Sequence, residues 1–207
     1  MTWLCTDHSP IVSVLGGFRL RWSGSVQVGI PRASQRLLAF LAIRGGVSSR
    51  AAVAGTLWPD ATETRAYSNL RSCLARLEYT YRKMLQASKL ELGLAEGVTV
   101  DIHHARTLAR RLLDPAVIPQ QSDLSPATVV VLSGELLPGW YDDWVLVEAE
   151  DWRQLRLHAL EALADRLTAV GCWGQAADAA ASLPVMSRAA SAYSGPPRRA
   201  DRTPARA

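Results

Sequence analysis

Apolar and polar positions alternate with period two at the front of the chain and then switch to helical spacing. The stretches "IVSVL" (11–15), "FRLRW" (18–22) and "SVQVG" (25–29) are β-branched or alternating and are punctuated by glycines, which predicts three short strands. Phe18, Arg19, Leu20, Arg21 and Trp22 alternate apolar with basic, the pattern of a sheet with one face in water.

Three helical segments follow. "RASQRLLAFLAIR" (32–44) gathers Leu37, Leu38, Phe40 and Leu41 on one side, and Gly45-Gly46 stops it. "SRAAVAGTLW" (49–58) has Ser49 in N-cap position, and Pro59 prevents continuation. "TETRAYSNLRSCLARLEYTYRKML" (62–85) is the longest and puts Ala66, Leu70, Cys73, Leu74, Leu77 and Tyr81 on one stripe. Its opposite face carries Arg65, Ser68, Asn69, Ser72, Arg76, Tyr79 and Lys83, with Arg71 at the flank. Period two then returns in "KLELGL" (89–94) and "VTV" (98–100), which predicts a hairpin.

Beyond Asp101 the spacing is helical. "IHHARTLARRLL" (102–113) leads into a Pro-broken loop. "SPATVVVLSG" (125–134) has the valines of a strand. Ser125-Pro126 and Gly134 are nevertheless the start and stop of a helix, and a short helix is the expectation. A long helix is predicted from Asp143 to Val170, with a turn at Gly171 and a return helix over 173–183. Residues 1–10 read as a tail. Residues 184–207 are rich in Pro, Ala and Arg without apolar periodicity and are expected to be disordered. The expected fold is an α+β segment (11–100) followed by an all-α segment (101–183), mainly α overall.

Charge sharpens this division. Residues 11–100 carry 12 Lys/Arg against 5 Asp/Glu, a net +7, whereas 101–183 carry 6 against 12, a net −6. A basic front on an acidic second half suggests two domains with different partners, the basic one a candidate for nucleic acid. No apolar run approaches the roughly 18–20 residues of a spanning helix, so no membrane partner is expected. Cys5, Cys73 and Cys172 are odd in number and far apart, which fits reduced thiols in a cytoplasm. No phosphate-binding G-x-x-x-x-G-K-[ST] and no G-x-S-x-G nucleophile elbow occur, and the cysteine spacing suits no zinc site. Asp101, His103 and His104 sit together in "DIHH", but adjacent histidines on a helix diverge by about 100° and rarely share one metal. No cofactor or metal is expected, nor an enzyme.

The third helix carries the most specific chemistry. Arg65, Ser68, Asn69 and Ser72 offer guanidinium, amide and hydroxyl groups at helical spacing, which suits the acceptor-rich edges of a major groove. Arg71 and Arg76 are expected on phosphates, and Lys89 with the hairpin beside the adjacent groove or backbone. Acids are scarce on this face, whereas a plain solvated helix mixes signs for i, i+4 pairing.

"VLGGFRLRW", "QRLLAFLAIRGG", "SSRAAVAGTLWPDA" and "RAYSNLRSCLARL" resemble the OmpR-like winged helix-turn-helix of the Streptomyces antibiotic regulatory protein family. The W-P-D element and the N-L-R-x-x-L-x-R-L run are the most specific parts of the likeness, which covers about 11–100. It implies a second helix at 49–58 that crosses the DNA and a recognition helix at about 64–84 in the major groove. Arg65, Ser68, Asn69, Arg71, Ser72 and Arg76 are then the positions facing double-stranded DNA. Val98 and Val100 depart from the family's wing, where an aromatic and a leucine are common. "LLPGWYDDWVLVEAEDWRQLRLHALEALADRL" resembles the family's bacterial transcriptional activator domain, a module similar to tetratricopeptide repeats. "GCWGQA" fits the turn of such a repeat, with Gly171 turning, Trp173 wedging and Ala176 packing closely. Only one helical hairpin is recognisable, so this domain is expected to be shortened. The resemblance implies a transcriptional regulator, an activator in kind, that binds promoter direct repeats head to tail and contacts RNA polymerase, with a homodimer as a further expectation.

Two alternatives stay open at this point. One is an interaction module, a truncated paralogue that no longer binds DNA specifically. The other is a carboxylate enzyme built on "LLPGWYDDWVLVEAEDW" (136–152), where acids stand beside three tryptophans. The architectural reading of that stretch has Asp142 or Asp143 capping a helix, Trp140, Tyr141, Trp144 and Trp152 packing the corner, and the acids Glu148, Glu150 and Asp151 within pairing reach of Arg153 and Arg156.

Overall fold

The structure, a computed structural model, describes residues 9–183. It is a mixed α/β architecture, mainly helical, with a small N-terminal sheet followed by helices. The predicted tails at 1–10 and 184–207 fall outside the described residues, apart from Ser9 and Pro10.

Strands β1 (Ile11–Ser13), β2 (Arg19–Trp22) and β3 (Ser25–Gln27) form an antiparallel meander. On β2 Leu20 is buried and Arg19 and Arg21 are exposed, as the alternation predicts. Helix α1 (Arg32–Arg44) has the predicted bounds and buries Leu37, Leu38, Phe40 and Leu41. A short strand β4 (Val47–Ser49), not anticipated from the sequence, leads into α2 (Arg50–Leu57), whose N-cap Ser49 accepts from Ala52 N at 3.1 Å.

The predicted long helix over 62–85 is divided. Helix α3 (Glu63–Arg76) ends where Leu77 adopts an extended backbone (φ −61°, ψ 128°), and a single turn, α4 (Tyr79–Arg82), follows. The break lets Leu77, Tyr81 and Met84 all reach the core. Arg82 compensates for lost helical bonds: its guanidinium donates to Leu77 O at 2.9 Å and to Ala75 O. Tyr79 and Lys83 therefore do not share a helix with Arg65.

The hairpin also differs from the prediction. It is built from β5 (Leu85–Ala87) and β6 (Glu91–Leu94), with Ser88, Lys89 and Leu90 at its tip and β4 as the third strand. The predicted return strand, β7 (Thr99–Val100), instead pairs in parallel with β1 and completes the first sheet in the order β3-β2-β1-β7. Gly93 is required where β6 crosses β4, since a Cβ there would lie 2.7 Å from Gly46 O.

Helices α5 (Asp101–Leu113), α6 (Pro126–Ser133), α7 (Asp143–Ala169) and α8 (Trp173–Ala181) form the second half. Pro126 opens α6 at its first position, as expected. Gly171 turns the chain at φ +78° and Ala176 is buried against α7, but the expected wedge Trp173 is 67% exposed.

One continuous hydrophobic core runs through both halves. Polar contacts lock them as well. Leu15 bridges Leu136, Leu137 N donates to Val14 O (2.9 Å), and Gly16 N donates to Glu135 O (2.8 Å). Asp101 is the junction of this arrangement. Its carboxylate accepts from Val14 N (2.9 Å), Leu15 N (3.1 Å) and Ile102 N (2.8 Å), so one side chain ties the first turn of α5 to the end of β1. Asp101→Ala is expected to lower unfolding free energy by about 2–3 kcal/mol, read by urea denaturation, with Asp101→Asn retaining part of the loss. Equal stability of Asp101→Ala and the parent chain would show that the three bonds contribute nothing.

Candidate nucleic-acid interface

The outer side of α3 follows from its inner side. Ala66, Leu70 and Cys73 are buried against α1 and α2, and burial pushes the Cys73 thiol above its ordinary pKa, so it serves as a small core residue rather than a nucleophile. The helix therefore turns Arg65, Ser72 and Arg76 to solvent, with Asn69 half-buried on the same stripe and Ser68 exposed beside it. Among the described residues none of Arg65, Arg71 and Arg76 takes part in an ion pair. Unpaired guanidinium groups on one face leave a positive field that a polyanion can satisfy.

Arg71 points to the flank, as expected, and lines a groove of about 390 Å³ between α3 and the β5–β6 hairpin. Arg50 and Arg82 line the same groove, and sequence reasoning missed both. Arg50 belongs to the first turn of α2, and its Nε donates to Ser88 O at 2.9 Å, which ties the hairpin tip to that helix. The signal for it lay beside the N-cap Ser49; what was missing was the knowledge that the hairpin folds back there. Lys89 is exposed at the tip, next to Leu90, which is also exposed. The stripe Arg65–Asn69–Ser72–Arg76 and the cationic groove at Arg50, Arg71 and Arg82 thus lie side by side, and Lys89 stands at the far end of the hairpin. Such an arrangement can read base edges from the stripe and hold phosphates from the groove.

The acidic, aromatic corner at 136–152 is structural in its contacts. Trp152 is buried and its Nε1 donates to Gly134 O at 2.8 Å. Trp140 is buried beneath Arg32, whose guanidinium carbon lies 4.0 Å from the ring centroid. Trp144 meets Phe40 edge to face at 5.4 Å. Tyr141, expected to pack, is 81% exposed. Asp142 occupies the N-cap of α7 but makes no capping bond, because its carboxylate pairs with Arg36. Glu148 pairs with Arg106 at 2.8 Å rather than with Arg153 or Arg156, since α5 packs against that side of α7. Glu150 does pair with Arg153, and hydrogen bonds from Arg153 and then Gln154 hold its carboxyl down to about 2. A carboxylate so held stays ionised and is a poor general acid.

No helix among the described residues is long and apolar enough to cross a membrane. No protein-family model matches the chain, and no curated protein matches it either.

Proposed function

We propose that this chain is a sequence-specific DNA-binding transcriptional regulator of the Streptomyces antibiotic regulatory protein type, an activator that works in the cytoplasm. The observation that carries the reading is the unpaired cationic stripe of α3 beside the arginine-lined groove of the hairpin. In this reading α1, α2, α3 and the β4-β6-β5 sheet are a winged helix-turn-helix. Helix α3 enters the major groove, and the hairpin is the wing. The shorter helix, ending at Arg76, is long enough to do so, because a recognition helix contacts bases through only a few turns. The α7–α8 hairpin belongs to a tetratricopeptide-like activator domain, and it contacts protein rather than DNA. Promoter direct repeats, RNA polymerase and a second copy of the chain are the partners this reading supplies. It assigns no catalytic role to the corner at 136–152.

Genome-wide occupancy mapping, followed by mobility shifts on the enriched fragments, tests the proposal. A set of enriched promoter sites sharing a direct repeat is the expected result. Occupancy no different from background, with affinity equal for enriched and scrambled fragments, would overturn the DNA-binding reading. Within that assay Arg71→Ala is expected to weaken binding to all sequences alike and to reduce the slope of log affinity against log salt by about 1. A selective loss at one sequence would instead make Arg71 a base reader.

A further inference from the structure

A cleft of about 800 Å³ opens between the 58–62 turn, which leads into α3, and the 141–144 corner, where α7 begins. We propose that it binds a small planar aromatic molecule that carries a hydrogen-bond acceptor such as a carboxylate at one end and a donor such as an amine at the other. The volume lies within the roughly 300–1,000 Å³ of small-molecule sites. Three aromatic side chains, Trp58, Tyr141 and Trp144, stand in its wall. Tyr141 is 81% exposed, while Phe40 supports Trp144 from the core side. Rings held this way are available to stack on a planar ligand.

The polar groups of the wall are of both kinds. Arg36 is already engaged, its Nη2 donating to Leu57 O at 2.9 Å and pairing with Asp142. Arg65 reaches the same cleft with no ion pair among the described residues, so an acceptor group meets a guanidinium able to bind it. Asp60 and Asp143, likewise without ion pairs among the described residues, line the cleft too and offer acceptors. A simple anion would face these two carboxylates, and a simple cation would leave Arg65 unmet. A ligand with both kinds of group matches the whole wall.

The cleft joins the two halves of the molecule, and Arg65 is the first residue of the stripe on α3. A bound acceptor that draws Arg65 inward removes it from that stripe, so the ligand lowers DNA affinity. This consequence rests on the DNA-binding reading, whereas the binding site itself does not.

The test therefore begins without DNA. The full chain is titrated with 4-aminosalicylate by ligand-observed saturation-transfer NMR, with benzoate and benzylamine as probes lacking the donor or the acceptor. The expected result is saturable binding at about 1 mM or tighter, with both single-function probes about tenfold weaker. Tyr141→Ala removes the exposed ring from the wall, and Asp143→Asn alters an exposed carboxylate. Each is expected to weaken 4-aminosalicylate about tenfold while leaving the melting curve cooperative. No saturable binding, or equal binding by the parent chain and both folded variants, overturns the assignment. Mobility shifts with and without the probe follow: a fall in DNA affinity supports the coupling, and an unchanged affinity overturns it. Ligand binding by a chain with no DNA affinity would support the site and sink only the DNA-binding reading.

Discussion

Trp152→Ala is expected to lower the unfolding free energy by about 3–5 kcal/mol, a larger loss than Asp101→Ala should cause. The side chain is 1% exposed, so alanine leaves a cavity where the indole stood. Its Nε1–H also satisfies Gly134 O at 2.8 Å, and that acceptor loses its partner in the variant. The consequence is not confined to α7. Gly134 is followed directly by the 135–137 segment whose backbone pairs with Gly16 and Val14. Loosening it releases both the end of α6 and the chain that leaves β1. Trp152→Phe keeps most of the ring and loses the hydrogen bond, and is expected to cost about 1–3 kcal/mol. Thermal and urea unfolding followed by circular dichroism separate these cases. A single cooperative transition shifted downward supports one continuous core. If α1–α3 melted at their original temperature while the helices of the second half unfolded, the two halves would be independent units and the coupling through Gly134 would be wrong.

What the sequence made legible was local. The bounds of α1 followed from an apolar stripe ended by two glycines. The start of α2 followed from Ser49, and α6 from Ser125-Pro126, even though its valines favour a strand. Each of these signals acts within a few residues. The failures share the opposite property. The stripe through Leu77 and Tyr81 continues at helical spacing, so nothing local announces that the backbone turns extended at Leu77. The turn is fixed by Arg82 reaching back to two carbonyls and by Met84 entering the core. Thr99 and Val100 alternate like a hairpin strand, yet their partner is β1, far back in the chain. Asp142 looks like a cap, but its carboxylate turns to a guanidinium on α1, a partner that lies far back in the chain. The candidate interface divides the same way. Its α3 residues could be chosen from spacing alone, whereas Arg50 and Arg82 join it only through the fold of the hairpin.

The stripe on α3 carries the second large effect. Under the DNA-binding reading, Arg65→Ala combined with Asn69→Ala is expected to reduce affinity for the preferred site by roughly a hundredfold or more, because each bidentate contact to a base edge discriminates by about 1–3 kcal/mol. Affinity for scrambled DNA should fall far less, since Arg50, Arg71, Arg76, Arg82 and Lys89 retain their charge. The two single variants have distinct signatures. Asn69→Ala removes no charge, so its salt dependence should match the parent chain while its preference at one base pair relaxes. Arg65→Ala removes a cation and should both relax preference and flatten the salt dependence slightly. Neither side chain supports the core: Arg65 is exposed and Asn69 only half-buried, so the melting temperature is expected to stay close to the parent value. Fluorescence anisotropy on matched and scrambled duplexes at several salt concentrations reads all of these quantities at once. If the double variant kept its full preference for the matched site, base reading would belong elsewhere, and the hairpin tip at Lys89 would be the next surface to alter. If it lost matched and scrambled DNA equally, the stripe would act as a phosphate track, and specificity would have to come from the shape of the DNA rather than its base edges.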